Sequence, residues 1–218
     1  MVYSPKQKFQ DVFEAKNWAG QMSSADRDYL LWVDANLGAL KTDVSVDRTL
    51  SYEFTPDNRG GYTVKAKMTF VHKGVFDWRT TRYRDYARLY VPEGSRLIKA
   101  SGSMKTDQSR EPGKIDQGIE NGRQWFGAFI SIEPGKTGEL SFEFQLAPSV
   151  AHLIRNNQYK LLVQKQLGTN NTRLTLSLNF DKKLASASPG EDQKKHGDSR
   201  YEYSGILKKD LNVEIRTQ

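Results

Sequence analysis

Apolar and polar residues alternate with a period of two on both sides of the turn at 56–61. Before the turn the even positions carry Val44, Val46, Leu50, Tyr52 and Phe54, with Arg48 as an interruption, and after it they carry Tyr62, Val64, Ala66, Met68 and Phe70. Such alternation places one set of side chains on one face of a strand. The two runs predict a β-hairpin. The residues we expect to be buried are Val44, Val46, Tyr52, Phe54, Val64, Met68 and Phe70, and on a later strand Phe142 and Phe144.

Two earlier segments have different patterns. Residues 1–20 predict one helix, with Ser4 as a cap, Pro5 at the first helical position and Gly20 at the end. The run Tyr-Leu-Leu-Trp-Val at 29–33 is continuously apolar, and within 28–36 it predicts a strand buried on both faces.

Further strands are predicted at 83–91, 96–101, 125–132, 139–146, 159–166, 173–180, 201–207 and 211–216. Short strands separated by turn signals indicate a mainly β chain, an antiparallel β-sandwich (Ig-like or larger) with a short N-terminal helix. We assign 1–27 to the helix and a lead-in from an upstream region, and 28–218 to the sandwich. The segment 147–157 is either a boundary between two smaller sandwiches or a crossover inside one. The polar segments 103–123 and 182–200 should be the most mobile.

The composition favours a packed core and excludes thiol chemistry. Hydrophobic residues make up 37% of the 218, and the 4 Trp, 10 Tyr and 10 Phe need to be buried. The absence of cysteine excludes disulfides and thiolate metal sites. No run approaches the roughly 18 apolar residues of a membrane span, and the N-terminus lacks a signal-peptide pattern. We therefore expect a soluble fragment, with any membrane anchor upstream.

The charge balance is positive, with 33 Lys and Arg against 26 Asp and Glu, a net charge of +7. Such a balance favours anionic partners, among them nucleic acid, acidic glycans, teichoic-type polymers and lipid headgroups. Cations and acids are interleaved along most of the chain, however, which is typical of a surface kept soluble by its charge. The charge alone thus leaves both interpretations open.

No catalytic or metal-binding pattern stands out. His72 continues an inward-facing strand pattern, His152 lies in a connecting segment, and His196 lies in a charged loop, so none has metal-ligand spacing. Gly-Lys-Thr at 135–137 resembles the end of a phosphate-binding loop, but Ile130 stands where that motif needs glycine and both flanks predict strands. The sequence predicts no metal, no cofactor and no enzyme activity.

One strand combines cations with aromatic rings. On one face of 82–91 lie Tyr83, Ala87, Leu89 and Val91, with Asp85 as an exception, and on the other lie Arg82, Arg84, Tyr86, Arg88 and Tyr90. Guanidinium groups and aromatic rings on one face can bind carboxylates, phosphates or sugar rings, so this face is the predicted ligand surface. The alternative is an outer sheet face stabilised by its own Arg–Tyr stacking.

Five motifs occur in order along the chain. They are Asp-Tyr-Leu-Leu-Trp-Val-Asp-Ala-Asn-Leu-Gly (28–38), Thr-Arg-Tyr-Arg-Asp-Tyr (81–86), Tyr-Val-Pro-Glu-Gly-Ser (90–95), Phe-Ile-Ser-Ile-Glu-Pro-Gly (129–135) and Leu-Val-Gln-Lys-Gln-Leu-Gly (162–168). From about residue 8 onward the chain resembles the C-terminal part of domain-of-unknown-function family 4012. One departure is Leu167, where that family's pattern has proline.

The resemblance implies a location outside the cell. Proteins of this family typically have an N-terminal transmembrane helix and a large extracytoplasmic part, and their genes often accompany surface-polysaccharide genes. The resemblance implies no catalytic residues. It implies contact with a membrane only through an upstream anchor that this sequence lacks.

Three functional hypotheses follow. The first is an extracytoplasmic structural or interaction module of a membrane-anchored envelope protein, with an anionic glycan, a wall polymer or another envelope protein as partner. The second is an accessory or enzymatic domain in surface-polysaccharide assembly, which would need carboxylates converging in a cleft. The third, nucleic-acid binding, rests on charge alone and lacks a recognised motif.

Overall fold

The described part of the chain is mainly β, with 49% strand, and it contains two sheets and two helices. The computed structural model describes residues 2–16, 18–23, 26–191 and 197–218. One sheet has seven strands in the order β11 (Leu184–Ser188), β13 (Leu211–Thr217), β9 (Gln158–Gln164), β1 (Asp28–Val33), β4 (Tyr83–Pro92), β7 (Arg123–Ile132) and β6 (Asp116–Glu120). The other has six, in the order β12 (Arg200–Ile206), β10 (Arg173–Asn179), β2 (Val46–Pro56), β3 (Tyr62–His72), β8 (Thr137–Gln145) and β5 (Arg96–Ser101).

The predicted hairpin is confirmed. β2 and β3 pair antiparallel from Val46 opposite His72 to Pro56 opposite Tyr62. Of the nine residues predicted to be buried, eight are buried. The prediction is wrong for Val44, which is 76% exposed because it lies in a 3₁₀ turn (Thr42–Ser45) ahead of β2, where alternation does not apply. The doubly buried strand is also confirmed, since every residue of β1 but the last is buried.

The prediction of a purely antiparallel arrangement needs correction. β1 pairs with β9 in parallel, and β10 pairs with β2 in parallel, so both sheets are mixed. Each of these pairs joins strands that are far apart in the chain. Local alternation indicates that a segment is a strand, but it carries no information about a distant partner or its direction.

Two strands were missed, one in each segment predicted to be mobile. β6 lies inside 103–123 and β11 inside 182–200, of which residues 192–196 are outside the described chain. These two strands form the two edges of the seven-stranded sheet. An edge strand pairs on one side only and buries few side chains, so its sequence shows little apolar alternation. In both strands exposed residues predominate.

The helices also differ from the prediction. α1 covers Gln7–Ala15 rather than the first twenty residues, begins after Lys6 without a side-chain cap from Ser4, and buries none of its residues. The segment 147–157 contains α2 (Pro148–Arg155), which connects β8 of one sheet to β9 of the other. Nowhere in the described ranges is a helix long and apolar enough to span a bilayer.

The inner faces of the two sheets enclose one apolar core, to which α2 contributes Val150, Ala151 and Ile154. Three ionisable side chains, those of Asp28, Arg48 and Asp85, lie inside this layer at 0–4% exposure. A second, smaller apolar cluster lies on the outer face of the seven-stranded sheet. It consists of Tyr29, Leu31, Tyr90 and Leu162, with Met22, Val33 and Trp125 packed against it.

Candidate functional site

The outer face of β4 carries the predicted ligand residues. Pairing with β1 on one side and β7 on the other holds β4 in the middle of the seven-stranded sheet. Tyr83, Ala87 and Leu89 are fully buried in the core, while Arg84 and Arg88 are directed outward and partly exposed. The alternation of β4 therefore divides this segment into two faces, as a pleated strand requires.

Two of the three predicted arginines form short ion pairs. Arg82 binds Asp107 through Nη1 at 2.9 Å and also binds Glu133, and Arg84 binds Asp107 at 2.7 Å. Asp107 belongs to the connection between β5 and β6, which thus lies over this part of the face. Burial acts to raise the pKa of Asp107, but the guanidinium groups of Arg84 and Arg82 outweigh it and hold that pKa below its usual value. Arg82 and Arg84 are therefore neutralised within the chain.

Arg88 is held differently. Its guanidinium lies 4.4 Å from the ring centre of Trp125 on β7 and 5.8 Å from that of Tyr86. Its nearest carboxylate, that of Glu120, is 3.5 Å away, and the Arg88 side chain is 39% exposed. Its position over two rings allows cation–π contacts and leaves part of the guanidinium accessible to a ligand.

Carboxylates border this group on both sides. The Tyr86 hydroxyl donates a hydrogen bond to Asp116 at 2.7 Å, and the Tyr90 hydroxyl donates one to Glu120 at 3.0 Å. Both carboxylates lie on the edge strand β6. We call the set Tyr86, Arg88, Tyr90, Asp116, Glu120 and Trp125 the Arg88 platform.

Two glycines leave room for the rings of the platform. A Cβ on Gly127 would lie 2.8 Å from the Tyr86 hydroxyl, and one on Gly118 would lie 2.9 Å from the Trp125 indole nitrogen. A side chain at either position would displace a ring. Sequence reasoning missed Trp125 and both glycines, since the register that places them beside Arg88 is not visible in the sequence.

A second cluster of polar groups lies between the sheets. Arg48 of β2 donates from Nε to Asp34 and from Nη2 to the Tyr83 hydroxyl, at 2.7 and 2.8 Å, and Trp32 Nε1 donates to Asp34 at 2.7 Å. Asp85 is fully buried beside Asp34. Burial and the neighbouring Asp34 carboxylate together raise the pKa of Asp85 well above its usual value, so that Asp85 keeps its proton. The sequence marked Arg48 and Asp85 only as breaks in two alternating patterns.

Asp28 makes a similar bridge at the other end of β1. Its Oδ2 accepts hydrogen bonds from the hydroxyls of Tyr52 on β2 and Tyr159 on β9, at 2.7 and 2.6 Å. Burial raises the pKa of Asp28 to about 6, although the hydrogen bonds oppose this shift. Asp28 is fully buried. These features give it a role in joining the sheets rather than in contacting a ligand.

A small cavity borders Asp34. Its volume is about 20 Å³, and its lining includes Trp32, Asp34 and Gln166. A space of this size holds about one water molecule and no sugar ring. The carboxyl pair of Asp34 and Asp85 is therefore not accessible to a substrate of sugar size.

The histidines have structural surroundings where they are described. His72 is 1% exposed, its Nδ1 accepts from the Gly74 amide at 3.1 Å, and its Nε2 donates to the Thr81 carbonyl at 2.8 Å. The packed strand-end role predicted for His72 is confirmed. His152 lies exposed on α2, and His196 lies outside the described residues. No group of three or more His, Asp or Glu in the described ranges could hold a metal ion.

Comparison with known proteins supplies no family. No family model matches the chain, and no curated protein matches it. Among solved structures, a proposed nutrient-binding protein of Legionella pneumophila is similar at a TM-score of 0.45 and 7% identity, over 87% of this chain and 71% of that one. An M1 zinc metallopeptidase of Deinococcus radiodurans is similar at a TM-score of 0.29 and 8% identity, over 78% of this chain and 41% of that one. This chain thus spans about two fifths of the peptidase, and similarities this low carry no functional argument.

Proposed function

We propose that the chain is a β-sandwich recognition module without catalytic activity, and that it binds a surface glycan through the Arg88 platform. We also propose that this module lies outside the cell, as part of a membrane-anchored envelope protein. This location rests on the resemblance to domain-of-unknown-function family 4012 of the motifs at 28–38, 81–86, 90–95, 129–135 and 162–168. A single observation supports the binding site. An arginine with 39% of its side chain exposed lies over Trp125, 4.4 Å from the ring centre, and its ion pair with Glu120, at 3.5 Å, is longer than those of Arg82 and Arg84 with Asp107.

The contacts of the face determine which kind of ligand fits. Because Arg82 and Arg84 are neutralised by Asp107 and Glu133, the face does not present a block of positive charge. Arg88 offers planar donors for one carboxylate or phosphate, and the carboxylates of Asp116 and Glu120 offer acceptors for sugar hydroxyls. This mixture suits a polymer with one anionic group per repeat, such as an acidic polysaccharide or a teichoic-type wall polymer. Another envelope protein is the competing partner.

The alternative of an accessory or enzymatic domain has less support. It requires carboxylates that converge on a cleft large enough for a sugar. The buried carboxyl pair of Asp34 and Asp85 lies in the core, and the cavity that Asp34 borders has a volume of about 20 Å³. The acids of the platform, Asp116 and Glu120, are each engaged by a tyrosine hydroxyl.

Affinity electrophoresis in gels containing alginate, a teichoic-type polymer or neutral dextran tests the proposal. The parent protein should be retarded by at least one acidic polymer and not by dextran. Arg88→Gln should weaken that retardation about tenfold, the effect of losing one charge-assisted contact of about 1.4 kcal/mol. The matched control is Arg96→Gln, on exposed strand β5 of the other sheet, which should bind like the parent. Equal binding by Arg88→Gln and the parent, or no retardation of the parent by any polymer, would contradict the proposal.

A further inference from the structure

Two loops at one end of the sheets expose large apolar side chains. The first, 36–45, connects β1 to β2, and the second, 73–82, connects β3 to β4. Together they carry Leu37, Leu40, Val44, Val75, Phe76 and Trp78, each between 50% and 83% exposed. We call these six residues the apolar tip. Single exposed apolar residues are ordinary, but a group of this size on two adjoining loops marks an interaction surface.

The two loops are hydrogen-bonded to each other. The amide of Lys41 donates to the Arg79 carbonyl at 2.9 Å, and the amide of Lys73 donates to the Ser45 carbonyl at 2.8 Å. The amide of Thr81 donates to the Thr42 hydroxyl at 3.2 Å. The six side chains therefore belong to one surface rather than to two independent loops.

The second loop also has an internal framework. Oδ1 of Asp77 accepts from the amides of Arg79 and Thr80, at 2.8 and 2.7 Å. The buried ring of His72 connects the two ends of the loop by accepting from the amide of Gly74 and donating to the carbonyl of Thr81. With its backbone held in this way, the loop keeps Phe76 and Trp78 exposed in the folded chain.

The charges around the apolar tip are mainly positive. Lys41, Arg79 and Lys136 are exposed, and within the described chain none of them has an ion pair. Lys136 lies in the neighbouring turn, whose carbonyl at that residue accepts from the His72 amide at 2.9 Å. The guanidinium of Arg79 lies 5.5 Å from the ring centre of Trp78.

The two acids of these loops, Asp43 and Asp77, are exposed but have partners within the loops and the adjoining strand. Asp43 binds Arg48 Nη2 at 2.7 Å and the Asn36 side-chain amide at 2.9 Å, and Asp77 accepts from the two loop amides. Asp43 is paired with Arg48, so the three cations without an ion pair are opposed only by Asp77, and the charge balance of the two loops and the neighbouring turn is positive. Exposed apolar groups bordered by unpaired cations complement a surface in which an anionic outer layer covers an apolar interior.

We propose that the apolar tip inserts into the interfacial layer of a bilayer that contains anionic lipids. Trp78 and Phe76 would lie at the level of the headgroups, where aromatic side chains are favoured. Lys41, Arg79 and Lys136 would keep their charged ends at the anionic headgroups while their alkyl stems cover apolar surface. This direct contact differs from the one that the family resemblance implies, which is through an upstream anchor.

A bilayer fits the tip better than a protein partner does. The apolar side chains project from loops rather than lining a groove, and none of the six lines the cavity beside Asp34. A protein partner would need a matching concave pocket for each projecting side chain, whereas a lipid interface adapts to them. A second copy of this chain and an unrelated protein remain as outcomes of the test.

Vesicle flotation tests the proposal with two lipid compositions, phosphatidylcholine alone and phosphatidylcholine mixed with phosphatidylglycerol. The parent chain should float with the mixed vesicles and much less with phosphatidylcholine alone. Phe76→Ser with Trp78→Ser should reduce the bound fraction about tenfold or more. The matched control, Trp18→Ser with Ile119→Ser, removes apolar groups of comparable exposure outside the tip and should bind like the parent.

A charge variant and a probe that keeps the fold intact complete the test. Lys41→Gln with Arg79→Gln should abolish the preference for phosphatidylglycerol, while Arg96→Gln with Lys99→Gln on β5 should retain it. Brominated lipids should quench the tryptophan fluorescence of the parent but quench that of Trp78→Phe far less. This conservative variant preserves an aromatic ring at the tip.

Three results would overturn the proposal. In the first, the parent chain floats with neither kind of vesicle. In the second, the tip variant and its matched control lose flotation to the same extent. The third is a parent dimer that Phe76→Ser with Trp78→Ser converts to a monomer, which would show that a second copy covers the tip. The Arg88→Gln variant should float normally, so failure of the glycan proposal and failure of this one are distinguishable.

Discussion

Arg48 of β2 and Asp34, directly after β1, form an ion pair between the two sheets, with 2.7 Å from Nε to Oδ2 and each side chain 3% exposed. Its energetics differ from those of a surface pair. Both charges have lost their hydration, and each depends on the other for compensation. Asp85 contributes a third ionisable group that stays neutral through its raised pKa. The cluster therefore stabilises the fold only while its members are all present.

Arg48→Met should lower the free energy of unfolding by about 3–5 kcal/mol, because Asp34 would remain buried without its cation. Urea denaturation followed by circular dichroism measures the change. The control is Lys67→Met, which breaks the more exposed cross-strand pair between Lys67 and Glu139 and should cost about 1 kcal/mol or less. Similar losses in the two variants would show that the Arg48 pair is not desolvated as its burial indicates.

The pH dependence of stability should reveal Asp28. Its folded pKa of about 6 lies above the ordinary value of 3.8, so the folded state binds the proton more tightly than the unfolded state. The stabilisation from this proton is fully present below the unfolded pKa and is lost as the pH rises through the folded pKa. Between about pH 7 and about pH 5, the free energy of unfolding of the parent should therefore increase relative to that of Asp28→Asn by on the order of 1 kcal/mol.

Denaturation curves of the two proteins at several pH values supply the measurement. Surface carboxylates titrate in both proteins, so their contributions cancel in the difference. An asparagine that simply weakens the hydrogen bonds of Tyr52 and Tyr159 would lower stability equally at every pH. Parallel pH profiles would thus show that Asp28 titrates normally in the folded chain.

The local patterns of the sequence predicted the strands that have a buried face, together with the exposed edge strand β5 at 96–101, and missed the two edge strands β6 and β11. The alternation from Val46 to Phe70 identified β2 and β3 because every second residue packs in the core. β6 and β11 pair on one edge only, and their side chains are mostly exposed. Burial on one face produces the alternation, so a strand that buries few side chains gives a weaker signal.

The contacts that define the candidate surfaces depend on pairings that no local pattern contains. Arg48 and Asp85 each break an alternation, and they meet near Asp34 only because two sheets pack together. The partner of Arg88, Trp125, was assigned to a strand, but the register that brings the two together was not predictable. Phe76 and Trp78 gave no signal, because apolar residues in a short loop look alike in sequence whether they are buried or exposed.

Limited trypsin digestion should distinguish the connection after β5 from the strand β4. Lys105 and Arg110 lie exposed in that connection, whereas Arg84 and Arg88 lie in a central strand paired on both sides. Trypsin can cleave a segment only after that segment has unfolded locally, and this opening costs less free energy in a loop than in a central strand. Mass spectrometry of the first fragments should show cuts at Lys105 or Arg110. Early cuts at Arg84 or Arg88 would contradict the position of β4 as a stable central strand of the sheet.

The double variant Arg84→Ala with Arg88→Ala separates binding from stability on the outer face of β4. Arg84 binds Asp107 at 2.7 Å in a partly exposed pair, so its loss should cost about 1 kcal/mol or less. Arg88 has only a long, exposed ion pair with Glu120, at 3.5 Å, and its loss should remove the salt-dependent retention on an acidic-polymer column. Thermal unfolding and column retention, measured on the double and the two single variants, test this division. If the face serves only stability, the double variant should melt well below the parent while its retention stays unchanged. If the face binds a ligand, Arg88→Ala alone should lose the retention and melt close to the parent.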